Sequence, residues 1–203
     1  MPYDRSTPRP GTVKPARPWS RTLLALLRAA RAALAAANVG PAPRRIRIFL
    51  ASSAELEADR DDFDLRVRRF SDRLLQRGIY LEVVRWEYFF DAMSTTRMQD
   101  EYNTAVRECD IFVSLFFTKS GKFTEEEFTA AYDSFRGTGR PLVYTYFKDA
   151  SITTGAARKQ DLTSLWAFQE KLTEMGHFWT MYENIDQLIG KFRDQLDEFL
   201  DRG

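Results

Sequence analysis

The side chains able to do chemistry here are few in type. The chain carries one cysteine, Cys109, and one histidine, His177, against 29 aspartates and glutamates. One cysteine closes no disulfide within the chain, which fits a reducing, cytoplasmic compartment. One Cys and one His fall short of the four ligands that structural zinc sites usually draw from those types, so no metal site is expected. A nucleophile–histidine pair would have to use His177, and that residue, beside Gly176 at a strand start, reads as structural. Chemistry therefore falls to carboxylates.

The densest candidate segment is 118–128, Thr-Lys-Ser-Gly-Lys-Phe-Thr-Glu-Glu-Glu-Phe. Helical periodicity separates its three acids. Phe128, Ala131 and Phe135 fall at i, i+3 and i+7 and define a sheet-facing stripe, with Glu127 about 100° from it, at the stripe's edge. Glu125 and Glu126 point towards solvent. Glu127 is thus the acid best placed to face a cleft. Thr124 and Glu127 are also spaced as a capping box, and an acid-rich first turn favours any helix. Spacing alone leaves both readings open.

Ser52 and Ser53 form a second candidate. They precede a helix, where free N–H groups and the helix dipole suit a phosphate. Ser52 and Glu55 equally read as a capping box. No glycine-rich phosphate loop is present, which argues against a P-loop or a Rossmann-type site. Tyr102, Asn103, Trp166 and Trp179 invite a ligand-stacking role, but aromatics at these spacings read as core or interface.

These residues must be positioned by an alternation of elements. Apolar runs predict strands at 46–50 (IRIFL), 79–85, 111–117 (IFVSLFF), 141–147 (PLVYTYF) and 177–182. Between and after them, periodicity predicts helices at 55–76, 97–107, 125–135, 162–175 and 185–200, with a loop at 86–96. Gly78 stands where the first of these helices needs a left-handed residue. Strict alternation implies an α/β fold, a five-stranded parallel sheet of flavodoxin-like order 2-1-3-4-5 with helices on both faces. Ligands of such sheets bind at the carboxyl ends of the strands, near the switch point. That edge holds both candidate segments.

The chain before this region differs in composition. Residues 1–20 hold Pro2, Pro8, Pro10, Pro15 and Pro18 among Arg5, Arg9, Lys14 and Arg17, and are expected to form a disordered basic arm. Residues 21–44 are expected to form an amphipathic helix and linker, with Leu23, Leu26, Leu27 and Ala30 opposite Arg21, Arg28 and Arg31. Such a helix packs on its own domain or a twin subunit, or acts as a membrane-surface or targeting segment. Its apolar run is broken by Arg28 and Arg31, so no membrane span is expected. Net charge is +1, which gives the whole chain no preference for nucleic acid or acidic membranes.

From Arg45 to the C-terminus, residues 45–203, the chain resembles a bacterial TIR domain. The resemblance rests on IRIFLASS, on CDIFVSLFFTKSGKFTEEEF and on GHFWTMYENIDQL. TIR enzymes carry an aromatic-x-x-x-Glu motif, usually Trp-x-x-x-Glu, on the helix after the third strand, and Phe123-Thr-Glu-Glu-Glu127 is similar to it. The resemblance implies that Glu127 is the catalytic carboxylate and Phe123 an aromatic wall of the pocket. The turn after the first strand lacks the Tyr or Arg often seen in that family. Loop 86–96 stands in the position of the family's BB loop without its common animal form. The implied substrate is NAD+, which is no cofactor here, with its pyrophosphate near Ser52, Ser53, Lys119 and Lys122. Cleavage of the nicotinamide–ribose bond would give ADP-ribose or a cyclic variant. Activity would depend on self-association, in antiphage defence, with a sensor protein as a further partner. Two rivals remain at this level: a non-catalytic interaction module of the same fold, and a nucleoside deoxyribosyltransferase-like enzyme.

Overall fold

A computed structural model describes residues 42–85, 98–153 and 158–202. The basic arm, the N-terminal helix and the 86–96 loop lie outside the described residues, as do the side chains of 98–102, 122 and 123. The elements run β1 (Arg44–Ser52), α1 (Glu57–Leu74), β2 (Ile79–Val84), α2 (Met98–Arg107), β3 (Ile111–Phe116), α3 (Lys122–Thr138), β4 (Leu142–Lys148), α4 (Lys159–Glu174), β5 (Thr180–Tyr182) and α5 (Ile185–Asp201). Short 3₁₀ turns, Ala54–Leu56 and Leu75–Arg77, extend α1 at both ends. All strand pairs are parallel and the order is β2-β1-β3-β4-β5, the doubly wound flavodoxin-like arrangement.

Period-two alternation sorts the strand side chains between two cores. Ile46, Ile48 and Leu50 of β1 join Ile111, Val113 and Leu115 of β3 beneath α1 and α5. Phe49 and Ala51 join Phe112 and Phe116 beneath α2, α3 and α4. Every residue of β3 is buried, as a central parallel strand requires. In the second core Phe116 stacks on Phe147 at 5.1 Å, and Phe168 meets Phe116 at 4.9 Å and Phe128 at 5.3 Å. Each such pair adds about 0.5–1.5 kcal/mol beyond the buried area, and together they hold α3 in one position on the sheet. Among the described residues no helix is long and apolar enough to cross a membrane.

Two elements depart from the sequence reading, each for a local reason. Helix α3 begins at Lys122, three residues early, because Gly121 takes φ 45° as its N-cap and its carbonyl receives the Glu125 N–H at 3.1 Å. Strand β5 begins late. Gly176 turns with φ 70° and the His177 N–H bonds the Leu172 carbonyl at 2.9 Å, so His177 belongs to the turn that closes α4. Because β5 pairs only from Tyr146 to Lys148 of β4, the amino half of β4 borders a hollow. Phe135, expected to face the sheet, lines that hollow and is 40% exposed.

One buried polar atom is out of keeping with its surroundings. Among the described residues the Tyr146 hydroxyl, in the first core, has no hydrogen-bond partner, and burial pushes its pKa above the ordinary 10. Removing an unpaired buried hydroxyl removes a desolvation cost of about 1 kcal/mol. Tyr146→Phe is therefore expected to raise the melting temperature by about 2–4 °C in a thermal melt; a lower one would mean that the hydroxyl is satisfied in solution.

Candidate functional site

The strand order brings the loops after β1 and β3 side by side, since Ser52 of β1 pairs with Leu115 of β3. Glu55 joins them. One of its carboxylate oxygens accepts from the Ser53 hydroxyl at 3.0 Å and the Thr118 N–H at 3.1 Å, while the other accepts from the Thr118 hydroxyl. The expected Ser52–Glu55 capping box is therefore not formed. Ser52 instead accepts from the Arg60 guanidinium at 2.7 Å, and the same nitrogen reaches the Ser53 carbonyl at 3.4 Å. Arg60 is buried, so a cationic group stands behind the serine pair.

Gly121 completes the junction. A β-carbon there would lie 3.5 Å from the Thr124 hydroxyl oxygen and 3.9 Å from the Ser53 β-carbon, so the two loops are in near contact. Its φ of 45° is one that residues with a β-carbon seldom adopt. Ser120 is buried and donates to the Glu125 carboxylate. Lys119 is half-buried between the buried Thr118 and Ser120.

Glu127 sits one turn further along α3. With the helix starting at Lys122, Thr124 is its third residue and Glu127 its sixth. Thr124 cannot be the N-cap, so the capping-box reading of Glu127 is lost. Glu127 is 6% exposed and shares the buried stripe with Thr124, Phe128 and Ala131. Its place is thus deeper than the edge position expected from periodicity. A buried carboxylate is expensive unless other groups hold it, and is the kind of group found at functional sites. Glu125 and Glu126 are half-buried on the outer side. Phe123 and Lys122 occupy the first turn of α3, and their side chains lie outside the described residues.

The rim of the same edge holds residues that the sequence reading did not single out. Asp59 accepts from Lys148 at 2.8 Å and from the Tyr182 hydroxyl at 2.7 Å, tying α1 to the last residues of β4 and β5. Arg85, at the end of β2, pairs with Asp61 at 2.7 Å and reaches Asp64 at 3.5 Å. Arg60 was detectable, because it falls on the apolar stripe of Phe63 and Val67 where a charge is unexpected. The others depend on contacts across 21 to 123 residues and leave no local signal.

Beneath α3 runs a polar chain, with Ser114 and Thr145 buried and His177 half-buried at its end. His177 Nε2 lies 2.9 Å from the Thr145 hydroxyl, which lies 3.1 Å from that of Ser114, and the imidazole meets the Phe128 ring edge-on at 5.4 Å. Burial lowers the His177 pKa from 6.5. The unfolded chain therefore takes up this proton at higher pH than the folded one. The associated stability is fully present above pH 6.5 and is lost as pH falls through the lowered folded value. Urea denaturation of wild type and His177→Gln should run parallel above pH 7, with wild type losing midpoint faster below about 6.5; parallel curves throughout would discard this assignment. Cys109 is buried with its pKa pushed up to about 12, mainly by desolvation, so it is no thiolate nucleophile at neutral pH. Trp179 packs edge-on against Phe147 at 5.1 Å as a core residue, and Trp166 is 58% exposed on α4. Asn103 is half-buried on α2.

No protein-family model matches the chain, and no curated protein matches it. Among solved structures it is similar to the Clostridium botulinum CMP N-glycosidase BcmB, at 14% identity and a TM-score of 0.41, over 72% of this chain and 98% of that one.

Proposed function

We propose that the chain is a TIR-like enzyme that cleaves the N-glycosidic bond between nicotinamide and ribose in NAD+, with Glu127 as the catalytic carboxylate. The observation that carries this reading is the burial of Glu127 on the second turn of α3, the helix that follows the loop at the carboxyl end of β3.

In the reaction the C–N bond breaks and its electron pair leaves with nicotinamide, which departs neutral. Positive charge moves to the ribose as an oxocarbenium-like transition state forms. A fixed carboxylate beside that carbon stabilises the charge, and more so where water is excluded. Water then adds to the ribose carbon and loses a proton, giving ADP-ribose; attack by a group of the same molecule would give a cyclic product. A neutral leaving group needs no strong general acid. In this reading the pyrophosphate lies by Ser52, Ser53, Lys119 and Lys122, with Arg60 adding cationic charge behind the serines, and Phe123 walls the pocket. Self-association and a role in antiphage defence, triggered through a sensor protein, follow from the resemblance to TIR enzymes.

The test is nicotinamide release from NAD+ across a range of protein concentrations, with deoxynucleosides as parallel substrates. Release that rises more steeply than protein concentration supports the reading. No release at any concentration would leave the interaction module, and turnover of deoxynucleosides alone would favour a deoxyribosyltransferase.

A further inference from the structure

Strand β5 is too short to cover its neighbour. It pairs only with Tyr146, Phe147 and Lys148 of β4, which leaves Leu142 to Tyr144 as a sheet edge. The polarity of that edge follows from alternation along the strand. The Leu142 N–H bonds the Asp110 carbonyl at 3.0 Å, and the Ser114 hydroxyl reaches the Tyr144 carbonyl at 3.5 Å. Both residues thus turn their backbone groups towards β3, and Val143 between them turns its N–H and C=O the other way. Among the described residues neither group of Val143 has a hydrogen-bond partner.

This edge is the floor of the hollow beside β4, which has a volume of about 380 Å³. Phe135 and Arg136 of α3 line one side of it, and Glu198 and Phe199 of α5 the other. The two helices pack on opposite faces of the sheet. A space with a strand edge at its base and a helix on each side is the position of a further strand, about 4.8 Å from β4. A segment added there would send alternate side chains to the two helices and supply the donor and acceptor that Val143 lacks. The helices also exclude a broader occupant. Leu142, Val143 and Tyr144 are half-buried between them, so the same edge of a second copy, set back in the same way, cannot reach this one. A single extended chain can. Charge narrows it further, because Glu198 is paired with Arg202 while Arg136 makes no ion pair among the described residues. We propose that the β4 edge between α3 and α5 binds an extended acidic peptide by strand addition, with its backbone on Val143 and a carboxylate on Arg136. The site lies at the amino end of β4, and the proposal is independent of the activity at the carboxyl edge.

The test pans a phage-displayed library of random linear heptapeptides on the full chain, then measures the strongest binder by fluorescence anisotropy as a labelled synthetic peptide. Selected peptides should carry Asp or Glu. Methylating alternate backbone nitrogens of the peptide, in one of the two possible registers, should weaken binding by roughly tenfold, because the donor to the Val143 carbonyl is lost. Val143→Pro removes the outward N–H at an edge where proline is tolerated, and should weaken binding by a similar factor. Arg136→Glu, at an exposed residue, should weaken it roughly fivefold with an unchanged thermal melt. Unchanged affinity for both N-methylated peptides would overturn strand addition, whatever Val143→Pro does to the fold. Enrichment of no peptide, or of peptides without an acid, would overturn the proposal as well. So would a dimer that Val143→Pro dissociates in sedimentation, since the edge would then belong to a second copy.

Discussion

Glu127→Gln is expected to lower kcat for nicotinamide release by roughly a thousandfold, about 4 kcal/mol of transition-state stabilisation. The amide matches the carboxylate in size and keeps one oxygen acceptor, while the charge is removed and the second acceptor becomes an N–H donor. Charge is what an oxocarbenium-like transition state demands, and NAD+ itself carries little on that ribose. The interaction is therefore made mainly in the transition state, and KM should change little. The melting temperature should stay within a few degrees, since the buried stripe of Thr124, Phe128 and Ala131 keeps its shape. Glu126→Gln, on the half-buried outer side of the same turn, should retain activity within a few-fold. Full activity in Glu127→Gln would remove the carboxylate from the mechanism even if NAD+ were turned over.

How far the sequence could be read depends on whether the deciding interaction is local. Strand β3 was legible because IFVSLFF is apolar on both alternating sets, which only a central strand buries. The end of α1 at Gly78 was legible because a left-handed residue there needs glycine, and φ is 71°. The beginning of α3 was not. Thr124-Glu-Glu-Glu127 is a good local start signal, yet Gly121 opens the helix one turn earlier and converts the supposed cap into an interior residue. Ser52-x-x-Glu55 misled in the same way, because the partner that competes for Glu55 is Thr118, 63 residues away. Glu127, expected at the edge of the apolar stripe, is the most buried of the three adjacent acids. Periodicity distinguishes faces of a helix even when its first residue is misplaced, so Glu125 and Glu126 still fall on the outer side despite the shifted boundary.

Glu55→Ala is the second variant with a large expected effect, and it acts by position. Glu55 is itself exposed, yet its two oxygens take three hydrogen bonds that span the loops after β1 and β3. Hydrogen bonds to a charged group contribute about 1.5–3 kcal/mol each when shielded and less at a surface, so a loss of about 2 kcal/mol of stability is expected. The Thr118 loop leads through Gly121 into α3, so loosening it also frees the first turns of the helix that carries Glu127. A shift near 1 Å in a reacting group can cost about a hundredfold, and kcat is expected to fall by roughly tenfold to a hundredfold. Glu55→Gln keeps an acceptor for the Thr118 N–H and should restore part of both losses. A merely local role in the 3₁₀ turn would make Glu55→Ala and Thr118→Val additive in urea denaturation. A bridge between the loops predicts a coupling of about 1 kcal/mol instead, because each variant already removes the interaction that the other would lose.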